Sequence, residues 1–150
     1  NIFVGSPTST LFSYRSNNGG SPHNGIAYCW HNVSGLQKFG SYTGNGNAEG
    51  PLVEIGFRPA VLMIKGTGAG TFWTIFDSSR DPGNIMGQKL YWNSNSAENT
   101  VTSNTLDFLS NGFKVRSTSA DFNTNSTSYI YAAWAEAPSF NMYGASSNAF

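Results

Sequence analysis

Apolar and polar residues alternate along most of this chain in short stretches bounded by Gly, Ser, Asn, Asp and Pro, the period of two that half-buried β-strands require. The alternation predicts strands at 2–4, 10–14, 26–33, 38–43, 52–55, 61–65, 72–76, 89–92, 105–109, 112–116 and 128–135. Strands this short and numerous imply two packed sheets. Helical periodicity never exceeds one turn, at Ser96-Ala97-Glu98-Asn99. The breaks carry turn chemistry: Thr43-Gly44-Asn45-Gly46-Asn47, Gly66-Thr67-Gly68-Ala69-Gly70 and Asp81-Pro82-Gly83-Asn84 supply residues that tolerate positive φ or fix a turn. Leu109-Ser110-Asn111-Gly112-Phe113 sets Asn-Gly between two alternating runs, a strong hairpin signal. Val61-Leu62-Met63-Ile64 is continuously apolar, so it is expected to be a central strand covered on both faces or nearly so, with 72–76 as its neighbour.

One strand recurs at the two ends of the chain. Gly25-Ile26-Ala27-Tyr28-Cys29-Trp30-His31 reappears as Tyr129-Ile130-Tyr131-Ala132-Ala133-Trp134-Ala135, each copy entered through a run of small polar residues. With Trp30 set on Trp134, Cys29 falls on Ala133, which suggests equivalent small, partly buried slots. A separation of about one hundred residues suits one sandwich domain in a tandem array. The expected organisation is the end of a preceding repeat at 1–25, a β-sandwich module at 26–138 and an irregular tail at 139–150. The chain begins at Asn1 rather than Met, as expected of a processed product or a piece of a longer protein.

Composition narrows the classes. The 150 residues suffice for one core. Aromatic residues make up 15% and charged residues only 11%, so the chain is neither disordered nor charge-rich. The formal net charge is zero and the eight basic residues are scattered, which argues against a nucleic-acid partner. Cys29 is the only cysteine, which excludes an internal disulfide, and no Cys/His cluster suggests metal. No apolar run approaches the length of about 18 residues that a membrane-spanning helix needs, and no signal peptide is evident, so no membrane insertion is expected.

Four groups of side chains invite a chemical reading. Cys29 and His31 share a strand face, but no third residue orients them, and packing is the expected role. Asp121, Asn123 and Asn125 alternate as at the start of a calcium loop, without its central Gly or terminal Glu; Asp107 is a conceivable fourth ligand, and a polar loop is the simpler account. Asp77 and Asp81 offer paired carboxylates for glycoside hydrolysis, though a turn cap and an ion pair with Arg80 explain them more simply. Tyr42, Trp73, Tyr91, Trp92 and Tyr143 lie near Asn- and Gly-rich loops, with Asn93 adjoining, the combination that stacks on sugar rings and takes their hydroxyls. Two of the five rings are expected in a surface patch, the rest in the core.

Five ordered segments carry a resemblance: Tyr28-Cys29-Trp30-His31-Asn32-Val33; Leu36-Gln37-Lys38-Phe39-Gly40-Ser41-Tyr42-Thr43-Gly44-Asn45-Gly46; Gly56-Phe57-Arg58-Pro59-Ala60-Val61-Leu62-Met63-Ile64-Lys65; Asp107-Phe108-Leu109-Ser110-Asn111-Gly112-Phe113-Lys114; and Tyr129-Ile130-Tyr131-Ala132-Ala133-Trp134-Ala135-Glu136. Together they resemble a β-rich domain of unassigned function that recurs, often in tandem, in tail-fibre, appendage and other structural proteins of tailed, especially marine, bacteriophages. The resemblance implies a lectin-like jelly roll, a place on the virion surface and no catalytic residues. The expectation is an all-β antiparallel sandwich acting as a non-enzymatic virion module, in a tail fibre or decorating a capsid. Its partners would be copies of itself, other virion proteins and host surface glycans, with no cofactor. Exposed sheet edges are the expected assembly route. A free-standing carbohydrate-binding lectin is the alternative, and a glycan-degrading enzyme a more distant one.

Overall fold

The computed structural model describes residues 8, 10–11, 28–68, 70–100 and 105–136, with the backbone alone for Asn99 and Thr100. The expected strand at 2–4 and the tail at 139–150 lie outside them. The chain divides into two units, Asn1–Trp30 and His31–Phe150. In the first, the Thr8 hydroxyl oxygen accepts the N–H groups of Thr10 and Leu11, a side-chain turn at the point where 10–14 was expected to begin a strand.

The second unit is an antiparallel β-sandwich. Its strands are β1 (Gln37–Thr43), β2 (Leu52–Glu54), β3 (Val61–Gly66), β4 (Thr74–Asp77), β5 (Gln88–Tyr91), β6 (Asn99–Thr100), β7 (Leu106–Leu109), β8 (Gly112–Val115) and β9 (Ser128–Trp134). The large sheet runs β1-β9-β3-β4-β5-β6 and the small one β2-β8-β7. The chain changes sheets at β1–β2, β2–β3, β6–β7 and β8–β9, as connections in double-sheet jelly rolls do.

The two layers meet through rings. Phe113 on the small sheet packs edge-on against Tyr42 at 5.9 Å and Tyr131 at 5.4 Å on the large one, and Tyr42 stacks on Tyr129 at 5.1 Å. Leu62, Ile64 and Phe76 from the large sheet and Leu106, Phe108 and Val115 from the small one complete a fully buried centre. Room for Tyr131 is made by Gly40, its partner on β1, where a Cβ would stand 2.6 Å from the phenol oxygen. β3 is central, as its apolar run predicts, between β9 and β4. Its inward side chains are buried and its outward ones half-buried, so only one face carries a described second layer.

On the outward face of the large sheet one row is apolar. Pairing lines up Phe39, Ala132, Met63, Ile75 and Leu90 straight across β1, β9, β3, β4 and β5. Trp134 and Val61 form a second row beside them, and Phe39 meets Trp134 edge-on at 5.7 Å. Two charged side chains on this face, Lys65 and Asp77, are engaged: Lys65 donates to Thr71, and Asp77 pairs with Arg80.

Several expectations shift. Residues 28–32 are not a strand; Val33 makes one bridge to Gln37, Gly35 turns the chain at φ 71°, and Asn32 Oδ1 caps the Phe39 N–H, so residues 32–36 turn back onto the start of β1. Trp134 therefore lies in a sheet whereas Trp30 is 58% exposed outside one, stacked on Tyr28 at 6.1 Å. Cys29 is likewise exposed while Ala133 is fully buried, so the two slots are not equivalent. Ser96 to Glu98 form no helical turn; the chain runs on into β6, which pairs with Gln88 and Lys89. The hairpin loop is Ser110-Asn111, and Gly112 opens β8 because a Cβ there would fall 2.1 Å from the Val53 carbonyl oxygen.

Candidate functional site

At one end of β4 and β5 the ladder continues one step past the Thr74–Tyr91 pair, where the Trp92 N–H donates to the Trp73 carbonyl at 2.9 Å. The Trp73 N–H in turn donates to Asn93 Oδ1 at 2.9 Å, which leaves the Asn93 amide N–H groups outside that bond. Phe72 and Tyr91 lie ring against ring at 4.7 Å, tilted by 47°. Trp92 is 65% exposed, Phe72 and Asn93 are exposed, and Trp73 and Tyr91 are half-buried. Four rings thus come from one hairpin end, Phe72 and Tyr91 on the inner face and Trp73 and Trp92, with the Asn93 amide, on the outer. Such a group offers flat apolar faces beside a hydrogen-bond donor, the requirement for holding a sugar ring.

Tyr91 is held from beneath. The Lys89 ammonium, buried in the sandwich, stands 5.4 Å from the Tyr91 ring centre, 5.1 Å from that of Phe122 and 3.9 Å from Asp121 Oδ2. Lys89 and Phe72 carry no sequence signal beyond strand alternation, which places them on the inner face with Tyr91.

Of the expected patch, Trp73, Trp92 and Asn93 are joined by hydrogen bonds, while Tyr91 is on the inner face against Phe72 and Lys89. Tyr42 lies elsewhere: it is buried against Tyr129, and its hydroxyl donates to the Phe122 carbonyl at 2.8 Å. Burial pushes its phenol pKa far above the usual value, and the neighbouring Tyr129 adds to the shift. Tyr143 lies outside the described residues.

The three candidate calcium ligands diverge. Asn123 is fully buried, and its amide is consumed: Nδ2 donates to Asn45 Oδ1, the Asn47 carbonyl and the Ser117 carbonyl, while Oδ1 accepts the Asn45 N–H. Asp121 turns to Lys89, and Asn125 is exposed beside Gly46. Asp107 pairs with Arg116 Nε at 3.1 Å. Among the described residues, no group of three or more His, Cys, Asp or Glu side chains is placed to share a metal ion.

Asp77 and Asp81 are turn caps. Asp77 accepts the Arg80 N–H at 2.8 Å and pairs with its guanidinium, which also reaches Glu98. Burial alone would raise the Asp77 pKa, but hydrogen bonds and charge from Arg80 hold it below the ordinary carboxylate value. Asp81 Oδ2 accepts the N–H groups of Gly87 and Gln88 at 2.6 and 3.0 Å. On the small sheet, Arg116 spans Glu49 and Asp107, and Lys114 also reaches Glu49. The Lys114 hydrogen bond, then the charges of Arg116 and Lys114, lower the pKa of the exposed Glu49.

Among the described residues no helix is long and apolar enough to cross a membrane. No curated protein and no solved structure matches the chain. One family model matches residues 1–138, spanning both the first 25 residues and the sandwich. The chain belongs to that family, described as a domain of unknown function, DUF7483.

Proposed function

We propose that this chain is a non-enzymatic structural module of a virion, in a tail fibre, an appendage or a capsid decoration, that assembles with copies of itself and touches host surface glycans. The observation that carries the glycan contact is the hairpin end where Trp92, Trp73 and Asn93 are tied by two hydrogen bonds. Those bonds fix the backbone under the rings, so a sugar meets a surface whose ordering cost is largely met on folding. Support for the virion setting comes from the five ordered segments that resemble phage structural modules.

The test is a glycan array followed by titration calorimetry on the full chain. Binding that weakens about tenfold in Trp92→Ala, a loss of about 1.4 kcal/mol, and also falls in Asn93→Ala supports the reading. Binding to no glycan, or binding indifferent to both changes, removes it.

A free-standing lectin is the second reading. It is favoured by the origin of every residue of the patch in one stretch of one chain, 72–93, so the surface needs no second copy. Glycan binding by a chain that stays monomeric at all concentrations would select it.

A further inference from the structure

We infer that the glycan held at the hairpin end is an acidic one, a pyranose whose singly charged group is taken by the Lys65 ammonium. The inference rests on the glycan contact proposed above and names the chemical class of its ligand. Register places the cation. β3 and β4 pair Met63 with Ile75 and Ile64 with Thr74, so one step further Lys65 stands across from Trp73. Both side chains then point to the outward face that Met63 and Ile75 share. On the far side of Trp73 the ladder continues to Trp92, whose N–H donates to the Trp73 carbonyl at 2.9 Å. Lys65, Trp73 and Trp92 thus form one row, and a ring seated on Trp73 has the Lys65 strand about 4.8 Å away.

The ammonium is held in place without being neutralised. It donates to the Thr71 carbonyl at 2.6 Å and to the Thr71 hydroxyl oxygen at 2.7 Å. That hydroxyl gives its own proton to the Gly66 carbonyl at 2.9 Å, which leaves its lone pairs to Lys65. Both acceptors are neutral, and among the described residues no carboxylate lies within salt-bridge reach of Lys65. Arg80, Lys89, Lys114 and Arg116 differ, each having a carboxylate of this chain beside it. The row is open to a ligand: Ile130, the β9 partner of Lys65, is 40% exposed and Trp92 is 65% exposed.

These facts select the ligand's charge. Of the three N–H groups of an ammonium, Thr71 takes two. One N–H and one uncompensated positive charge match a monoanion on the sugar, a carboxylate or a sulfate ester, whereas a hydroxyl would leave the charge unmatched. The rest of the face sets the direction. Asp77, Arg80 and Glu98 together carry one net negative charge, and Asp77 stands four residues from Trp73 along β4, roughly 13 Å away. An acidic group is drawn to the Lys65 side of the rings and kept from the Asp77 end. Because the bonds to Thr71 form on folding, the receptor for the charge is ordered before the sugar arrives.

A glycan array carrying glucose, galactose and mannose oligosaccharides in neutral, 6-carboxylate and 6-sulfate forms tests the assignment on the full chain. The expected result is binding of an acidic form about tenfold tighter than its neutral counterpart, with the margin narrowing as salt is raised. The tighter of the two acidic forms identifies the group. Lys65→Met should erase the margin while neutral binding and circular dichroism stay unchanged, and Lys65→Arg should keep it. Should Lys65→Met misfold, an NMR titration of the wild-type chain takes its place: the amide signals of Lys65, Gly66 and Thr71 should move with the acidic form and stay with the neutral one. Acidic forms bound no tighter than neutral ones, a margin that survives in Lys65→Met, or signals that move alike for both forms overturn the inference and leave the function proposed above standing. Binding of no glycan in any form removes both. Trp92→Ala should weaken neutral and acidic forms alike, so the two readings fail separately.

Discussion

Asn123 and Asn45 clasp each other across 78 residues of chain: the Asn45 N–H donates to Asn123 Oδ1 at 2.7 Å, and Asn123 Nδ2 donates to Asn45 Oδ1 at 3.0 Å. The same buried amide also holds the Asn47 and Ser117 carbonyls, so it joins the loop after β1 to the loop before β9. Asn123→Ala would strand one N–H and two carbonyls together. The expected loss is about 3 kcal/mol, or roughly 8 °C in Tm, measured by urea and thermal unfolding. Asn123→Asp should lose a comparable amount, since a carboxylate cannot donate. A stability gain in Asn123→Asp on adding calcium would contradict the structural role given to this residue.

Thr74 presents the opposite case. Its hydroxyl is fully buried on the inner face of β4, and Oγ1 has no hydrogen-bond partner. Thr74→Val keeps the shape and removes the stranded group, so it should be neutral to stabilising by about 1 kcal/mol. A loss of that size on unfolding would mean that the hydroxyl is satisfied.

Ser126 holds φ at 60° and is the only non-glycine residue with positive φ among the described residues. It sits in the turn that enters β9, where its N–H donates to the Gly44 carbonyl at 2.9 Å. Ser126→Gly relieves the crowding of Cβ at some cost in unfolded-state entropy. The net expectation is a gain of about 0.5 kcal/mol, seen as a rise in Tm of 1–2 °C, approximately.

Stability should fall at both ends of the pH scale. Asp77, with its pKa held below the ordinary 3.8, contributes fully above that value and loses its contribution as pH falls through the lowered one. Glu49, lowered from 4.5, acts in the same direction. At the alkaline end burial raises the phenol pKa values of Tyr42 and Tyr131, so their contribution is complete below pH 10.0 and declines above it as the unfolded chain ionises first. Denaturation midpoints across pH check both limbs. Asp77→Asn should flatten the acid limb, and tyrosinate absorbance from the buried rings should rise only with unfolding.

Alternation made the core legible. β1, β2, β3, β7, β8 and β9 fall within a residue or two of their expected places, because a period-2 pattern with one buried face leaves a single register. β4 begins two residues later than expected, since the Trp73 N–H goes to an Asn93 side chain rather than to β3. β6 was missed: two residues paired to Gln88 and Lys89 are too few to show a period. The hairpin patch was half legible. Trp73, Tyr91, Trp92 and Asn93 were singled out by type and neighbourhood, but nothing local distinguishes them from Tyr42, whose burial is decided by Phe113 and Tyr129 from distant strands. The likeness of 25–31 to 129–135 misled in the described part, because side-chain identity was matched without the sheet neighbours that make 129–135 a strand.

The aromatic cluster hangs from the last rung of one hairpin, outboard of the Thr74–Tyr91 pair, and the buried layers close without it. Residues 72–73 and 92–93 can consequently be exchanged as a cassette while the register of the strands behind them stays put. Sequence change is cheap here, and an engineer has a ready graft point.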